Sequence, residues 1–145
     1  VNPQLIQLEI TESMLLENID TVIEKMQDLR SFGIRFELDD FGTGYSSLQY
    51  LKKLPIDKLK IDQSFVRDIT EDESDRSIVR TIITMAKSLN LGVIAEGVEI
   101  KDQQKFLLDN GCDHCQGYLY GRPTPIDEFE KSLMKLFEKR PASTA

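Results

Sequence analysis

Apolar and polar positions along the chain follow two different periods, which divide it into short strands and amphipathic helices. Alternating or continuous apolar runs predict five strands, at residues 4–11, 33–41, 57–62, 91–98 and 115–121. Apolar residues at helical spacing predict helices within residues 15–29, 48–51, 74–89, 101–110 and 126–137. A strand is therefore followed by a helix five times in succession.

This repeated order predicts the fold class. Short apolar strands that alternate with helices form parallel pairs joined by right-handed crossovers. An open doubly wound sheet and a piece of a (βα)8 barrel both satisfy the pattern. A complete barrel usually needs about 250 residues, so a chain of 145 residues could supply the last five of eight βα units. We predict an α/β fold, a partial TIM-like barrel over residues 1–139, with a flexible tail at residues 140–145.

Several residues are suited to begin or end the predicted helices. Gly33 is suited to cap the carboxyl end of the first helix. Ser46 or Ser47 is suited to begin the short second helix, which would stop before Pro55. Thr124 and Pro125 form a favourable start for the last helix.

Polar side chains lie at or near the carboxyl ends of all five predicted strands. They are Glu9, Asp39, Asp40, Lys60, Asp62, Glu96, Glu99 and Gln116. Successive members are separated by about one βα unit, so parallel strands would bring them to one rim, where α/β folds carry their chemistry. Lys60 could instead be a partner of Asp62 in a rim ion pair; we favour a catalytic role for Lys60 and a structural one for Asp62. Gln116 could equally satisfy backbone groups.

Several carboxylates at one rim need either protons or divalent cations between them. Glu9, Asp39, Asp40 and Glu96 offer oxygen ligands, which suit Mg²⁺ or Mn²⁺ better than zinc. Two ions about 3.5–4 Å apart would need a bridging carboxylate, for which Asp39 is the obvious candidate. Lys60 adds a cation able to orient a water or a phosphate oxygen. The set predicts metal-assisted hydrolysis of a phosphate ester.

The composition limits the possible binding partners and the cellular location. A net charge of −7 argues against a nucleic-acid polymer or an anionic membrane as partner, since both need a basic face. No apolar run reaches membrane-spanning length and no secretory signal opens the chain. Two cysteines suggest no disulfide framework, so we expect a reducing, cytoplasmic location, although an upstream part could be membrane-anchored. Cys112 and Cys115 are assigned to packing, because zinc would need further ligands and His114 is the one histidine.

Five ordered motifs resemble signatures of one family. LEITES (8–13), LDDFGTGYSSL (38–48), LKID (59–62), VIAEGVE (93–99) and QGYLYGRP (116–123) look like those of the EAL domain. That family hydrolyses the second messenger cyclic di-GMP to the linear dinucleotide pGpG on a TIM-like barrel. An unrelated barrel enzyme acting on a sugar phosphate would not be expected to show all five motifs.

The resemblance implies a role for each matching residue. Glu9, Asp39 and Asp40 would be metal ligands, with Asp39 bridging two Mg²⁺ or Mn²⁺ ions. Lys60 would hold the attacking water, and Glu96 would be a general base or a water-mediated ligand. Glu99 and Gln116 would lie close to these residues and support them. Glu12 would anchor the loop containing Gly42 and Gly44, which in this family also contributes to dimer contacts.

The chain also departs from the family pattern. The Glu-Ala-Leu motif and the Asn of the following strand are absent, and both would belong upstream of Val1. We therefore expect the chain alone to be weakly active, with an open strand edge and exposed helix faces. A second copy, as in a homodimer, or an upstream barrel segment could complement it. The alternative is a catalytically inactive EAL-like cyclic di-GMP receptor or protein-interaction module.

Overall fold

The computed structural model of the chain describes residues 2–15, 18–42 and 48–138. Its centre is a sheet of parallel strands, each of which lies beside the strand that follows it in sequence. The strands are β1 (Gln7–Thr11), β2 (Arg35–Phe41), β3 (Lys58–Ile61), β4 (Gly92–Ala95) and β5 (His114–Cys115). The predicted parallel α/β fold is confirmed.

Helices connect the strands and follow the last one. They are α1 (Ile19–Ser31), α2 (Leu48–Leu51), α3 (Gln63–Arg67), α4 (Glu73–Ser88), α5 (Lys101–Asp109) and α6 (Ile126–Glu138). Short 3-10 turns occupy Pro3–Leu5 and Glu12–Leu15. Within the described ranges, no helix combines the length and the apolar character needed to cross a membrane.

Alternation along the strands gives the sheet one apolar and one polar face. The buried side chains of the apolar face are Phe36, Leu38, Leu59, Ile61, Val93 and Ala95. Helix α4 packs its own apolar stripe into the same core, with Val79, Ile83 and Ala86 buried. Because successive side chains of a strand point to opposite faces, the residues between the apolar ones, such as Glu37 and Lys60, form the polar face.

Two sequence predictions need correction. The fifth strand, predicted at residues 115–121, consists of His114–Cys115 only. The chain beyond it bends away, since the Tyr120 amide donates to the Gly117 carbonyl as in a turn. Helix α3 was not predicted. Asp62 begins it by accepting a hydrogen bond from the Ser64 amide at 2.8 Å. A helix of five residues is too short to show a helical period in the sequence, so this N-cap was not recognised.

Other predictions concern the cysteines, the loop after β2 and the tail. Cys112 lies in the core, as expected for a packing role, and its thiol approaches the Val93 carbonyl at 3.8 Å. Gly44, the candidate caps Ser46 and Ser47, and the tail at 140–145 lie outside the described residues.

Helix α6 keeps its apolar side in solvent. Ile126, Phe129 and Leu133 recur at helical spacing and are all exposed. Strands β1 and β5 are the outer strands of the described sheet, and no further described strand pairs with either. The sequence predicts an open strand edge and exposed helix faces; within the described residues, α6 has an exposed apolar face and the outer strands pair on one side.

Gly117 allows two backbone segments to touch just beyond β5. A Cβ at this position would lie 2.3 Å from both the nitrogen and the oxygen of Val98. Backbone atoms cannot turn aside as a side chain can, so Gly117→Ala is expected to destabilise the intact protein by about 2–4 kcal/mol. Gly121→Ala, where nothing lies within 4 Å, is the control. Equal melting temperatures for the two variants would contradict this contact.

Candidate active site

The candidate site is built around the ammonium group of Lys60, on the polar face of β3. Its Nζ lies 3.0 Å from Glu9 Oε1, 3.3 Å from Asp39 Oδ1 and 2.6 Å from Glu96 Oε1. Glu9 comes from β1, Asp39 from β2, and Glu96 directly follows β4. Parallel pairing places these strand ends at one edge, so residues scattered over 88 sequence positions meet at one atom.

Lys60 is charged and almost fully enclosed. Its relative exposure is 3%, which makes it one of few buried charged residues among the described ones. Burial alone would lower the pKa of Lys60, but hydrogen bonds to Glu96 and Glu9 and the charges of Glu96 and Asp39 outweigh it. The pKa is therefore raised above its ordinary value, and the ammonium stays protonated throughout the physiological range.

A β-bulge explains why two adjacent carboxylates end β2. Leu38 pairs with Leu59 and Phe41 pairs with Ile61, so Asp39 and Asp40 together stand opposite Lys60. In a regular strand these neighbours would point to opposite faces. The bulge, with Asp40 in the left-handed conformation at φ +54°, re-aims the side chains. Both carboxylates therefore belong to the same rim.

Asp40 lies close to two other carboxylates of this rim, those of Asp39 and Asp62. Its pKa is raised by partial burial, by the charges of Asp39 and Asp62 and by a hydrogen bond with Asp62, although Lys60 opposes the rise. Its own amide donates to Asp39 Oδ1 at 3.0 Å. Asp62 was assigned a purely structural role; it does cap α3, and it also contacts Asp40. The position of Asp62 directly after β3, two residues beyond Lys60, was the available signal.

Glu12 lies beyond β1, directly after the strand that carries Glu9. It is buried, and neither carboxylate oxygen has a hydrogen-bond partner within the described ranges. A buried carboxylate of this kind is costly unless donors reach it. Because residues 43–47 are outside those ranges, the anchoring of the glycine-containing loop by Glu12 stays a prediction.

Glu99 and Gln116 lie at the same edge but outside the Lys60 cluster. Both residues are exposed, and no ion pair joins Glu99 to Lys60 in the described part of the chain. The Gln116 backbone is well held, since its amide donates to the Ala95 carbonyl at 2.8 Å and its carbonyl accepts from the Val98 amide at 3.0 Å. Their supporting roles stay predictions.

A second ion pair on the polar face was missed in the sequence. Lys58 Nζ lies 3.1 Å from Glu37 Oε1, and Glu37 is buried. These residues precede Lys60 and Asp39 by two positions in their strands, so they form the next layer of the same face. The alternation of charged residues in KLKI and RFELDD was the signal.

The donor chemistry of the rim fits a hard divalent cation. All its acidic groups are carboxylates, the ligands that Mg²⁺ and Mn²⁺ prefer. After partial burial, the charges of Asp39 and Asp62 contribute to the raised pKa of Asp40. Within the described residues, no three acidic side chains are arranged around a single metal position. The carboxylates are gathered instead around the Lys60 ammonium.

Fold and site together define an α/β domain with a parallel sheet and an acidic rim. The chain belongs to the EAL domain family, which matches residues 1–123. It is 48% identical over 128 residues to the cyclic di-GMP phosphodiesterase NbdA of Pseudomonas aeruginosa, covering 88% of this chain and 16% of NbdA.

Two solved structures show the same fold. The PaMucR phosphodiesterase, in complex with c-di-GMP, has a TM-score of 0.85 and 43% identity, over 89% of this chain and 52% of that one. BlrP1 of Klebsiella pneumoniae, as a manganese and cyclic di-GMP complex, has a TM-score of 0.78 and 33% identity, over 85% of this chain and 31% of that one. The chain thus spans about half of the solved PaMucR chain.

Proposed function

We propose that this chain carries part of the active site of a cyclic di-GMP phosphodiesterase, which hydrolyses one phosphodiester bond to give linear pGpG. The observation that carries the proposal is the buried Lys60 ammonium, held by Glu9, Asp39 and Glu96 from three other strand ends. The family match and the ligands named for PaMucR and BlrP1 support cyclic di-GMP as substrate.

Two Mg²⁺ or Mn²⁺ ions complete the proposal. Glu9, Asp39 and Asp40 would hold them. The charge of the ions would offset the repulsion from Asp39 and Asp62, which, after burial, contributes to the raised pKa of Asp40. Ions at this rim would act as Lewis acids that polarise the phosphate and lower the pKa of a bound water. The manganese named for BlrP1 supports this choice of metal.

The side chains of this chain have separate tasks in the proposed reaction. Lys60 is a permanent cation, so it orients a water or a phosphate oxygen but does not accept the proton. Glu96, 2.6 Å from Lys60 Nζ, is in place to take the proton of the attacking water. Glu99 and Gln116, at the same edge, would support substrate placement, and Glu12 would anchor the loop after Asp40.

Full activity is proposed to require more of the barrel than these residues. The solved PaMucR chain has about as much sequence again as this chain covers, and the exposed apolar side of α6 lacks a described partner. We expect the 145 residues alone to turn over cyclic di-GMP weakly, and we propose that residues 1–139 belong to the barrel. A second copy or an upstream barrel segment would restore activity.

The proposal is tested by chromatography of the products from cyclic di-GMP. The intact protein with Mn²⁺ or Mg²⁺ should form pGpG as the first product, and EDTA should stop the reaction until metal is restored. Tight binding of cyclic di-GMP by the metal-loaded protein without any pGpG would overturn the enzymatic proposal and favour a receptor.

A further inference from the structure

The segment that follows β5 forms part of the site edge. Backbone hydrogen bonds link it to the chain after Glu96: the Val98 amide donates to the Gln116 carbonyl at 3.0 Å, and the Leu119 amide donates to the Val98 carbonyl at 3.0 Å. The contact between Gly117 and Val98 fixes the two segments further. Tyr118 is therefore held beside the loop that leaves Glu96.

The two tyrosines of this segment have different surroundings. The Tyr120 hydroxyl accepts a hydrogen bond from Gln104 Nε2 at 3.0 Å and contacts Cys115, so it is tied to α5 and β5. Tyr118 is 52% exposed, and its described partner is the Arg122 guanidinium, 4.4 Å from the centre of the ring. Tyr118 and Arg122 thus form an exposed cation–π pair on the segment that follows β5.

An exposed aromatic ring with a stacked guanidinium is suited to a nucleobase. Bases stack on aromatic side chains with about 1–3 kcal/mol per base, and arginine adds a cation–π contribution. Arg122 also places a positive charge at an edge otherwise rich in carboxylates, in a chain whose net charge is −7. That charge favours the approach of an anionic dinucleotide.

We propose that Tyr118 and Arg122 form a stacking platform for one guanine base of the dinucleotide whose phosphodiester lies at the Lys60 cluster. This inference rests on the proposed function, since the cluster would position the phosphodiester. The platform binds the base equally strongly in the ground state and in the transition state of bond cleavage. Its loss therefore raises KM and leaves kcat nearly unchanged.

The test measures binding of a cyclic dinucleotide in which 2-aminopurine replaces one guanine, with Ca²⁺ in place of the catalytic metal. Stacking on Tyr118 should quench the 2-aminopurine fluorescence of the wild-type complex. Tyr118→Ala should weaken binding about 10-fold and abolish the quenching, while Tyr118→Phe, which keeps the ring, should retain both. Arg122→Lys keeps the charge but loses the planar stack, and should weaken binding severalfold.

Tyr120→Phe is the matched control, and its affinity and quenching should equal those of wild type. Equal affinity and quenching for Tyr118→Ala and wild type would overturn the platform while leaving the proposed function intact. Failure of the wild-type protein to bind the dinucleotide would overturn both. If Tyr118→Ala fails to fold, Tyr118→Leu is compared with Tyr118→Phe, and equal affinity and quenching for that pair would likewise overturn the platform.

Discussion

Lys60→Met is expected to reduce turnover of cyclic di-GMP about 10²–10³-fold, the size of effect seen when one preorganised charge-stabilising donor is removed. Methionine has a similar length but carries no charge, so Glu9, Asp39 and Glu96 would face each other without the ammonium that lies within 3.3 Å of each. Initial rates of pGpG formation at saturating metal measure the effect.

The same variant is expected to lose stability. Removing one partner of a buried ion pair costs about 3–5 kcal/mol, but Glu9 is half exposed, so we expect about 2 kcal/mol. The Lys60 pKa is raised in the folded protein from an ordinary 10.5. Its contribution to stability is therefore complete below that value and falls only as the pH rises through the folded pKa. The loss in free energy of unfolding caused by Lys60→Met should therefore be constant between about pH 6 and 9.

Lys58→Met provides the matched control for Lys60→Met. It removes the other lysine of β3 and its ion pair with Glu37, one layer away from the cluster. We expect lower stability but turnover within a few-fold of wild type. Equal losses of turnover in the two variants would show that the lysines act only through folding, and would contradict a catalytic role for Lys60.

Asp39→Asn is expected to abolish metal-dependent turnover with little change in stability. Its oxygen remains near Lys60, but its charge is lost, and even changes outside the direct ligands of a metal cost about 10–100-fold. We therefore expect a loss of at least about 100-fold. Stability should change by less than about 1 kcal/mol, because the lost attraction to Lys60 is offset by weaker repulsion of Asp40.

The comparison for this variant is Asp28→Asn, an identical change at an exposed position of α1. Both proteins are assayed over a series of Mn²⁺ concentrations, since a ligand defect shifts the metal dependence. Wild-type turnover in Asp39→Asn at every Mn²⁺ concentration would contradict a role for Asp39 at the metal.

Much of this architecture could be predicted from the sequence because it follows from short-range periodicity. The alternation in β2 and β3, the spacing of one βα unit and the strand-end carboxylates of Glu9, Asp39 and Glu96 were enough to predict a parallel sheet and a shared rim. The helical spacing in α4 and α6 was equally informative, and both helices are present.

The remaining features depend on tertiary contacts that a linear pattern does not encode. The bulge at Asp39 and Asp40 is a matter of register between β2 and β3. The fifth strand ends early because Gly117 lets the backbone turn against Val98. The enclosure of Lys60 depends on side chains from strands far apart in sequence, and so does the raised pKa of its ammonium.

The most direct test of the proposed centre is a crystal structure of the intact protein soaked with Mn²⁺, with anomalous scattering used to locate the metal. The account predicts anomalous density about 2.0–2.3 Å from carboxylate oxygens of Asp39 and of Glu9 or Asp40, beside the Lys60 ammonium. Anomalous density elsewhere and none at this rim, in a protein that hydrolyses cyclic di-GMP, would contradict it.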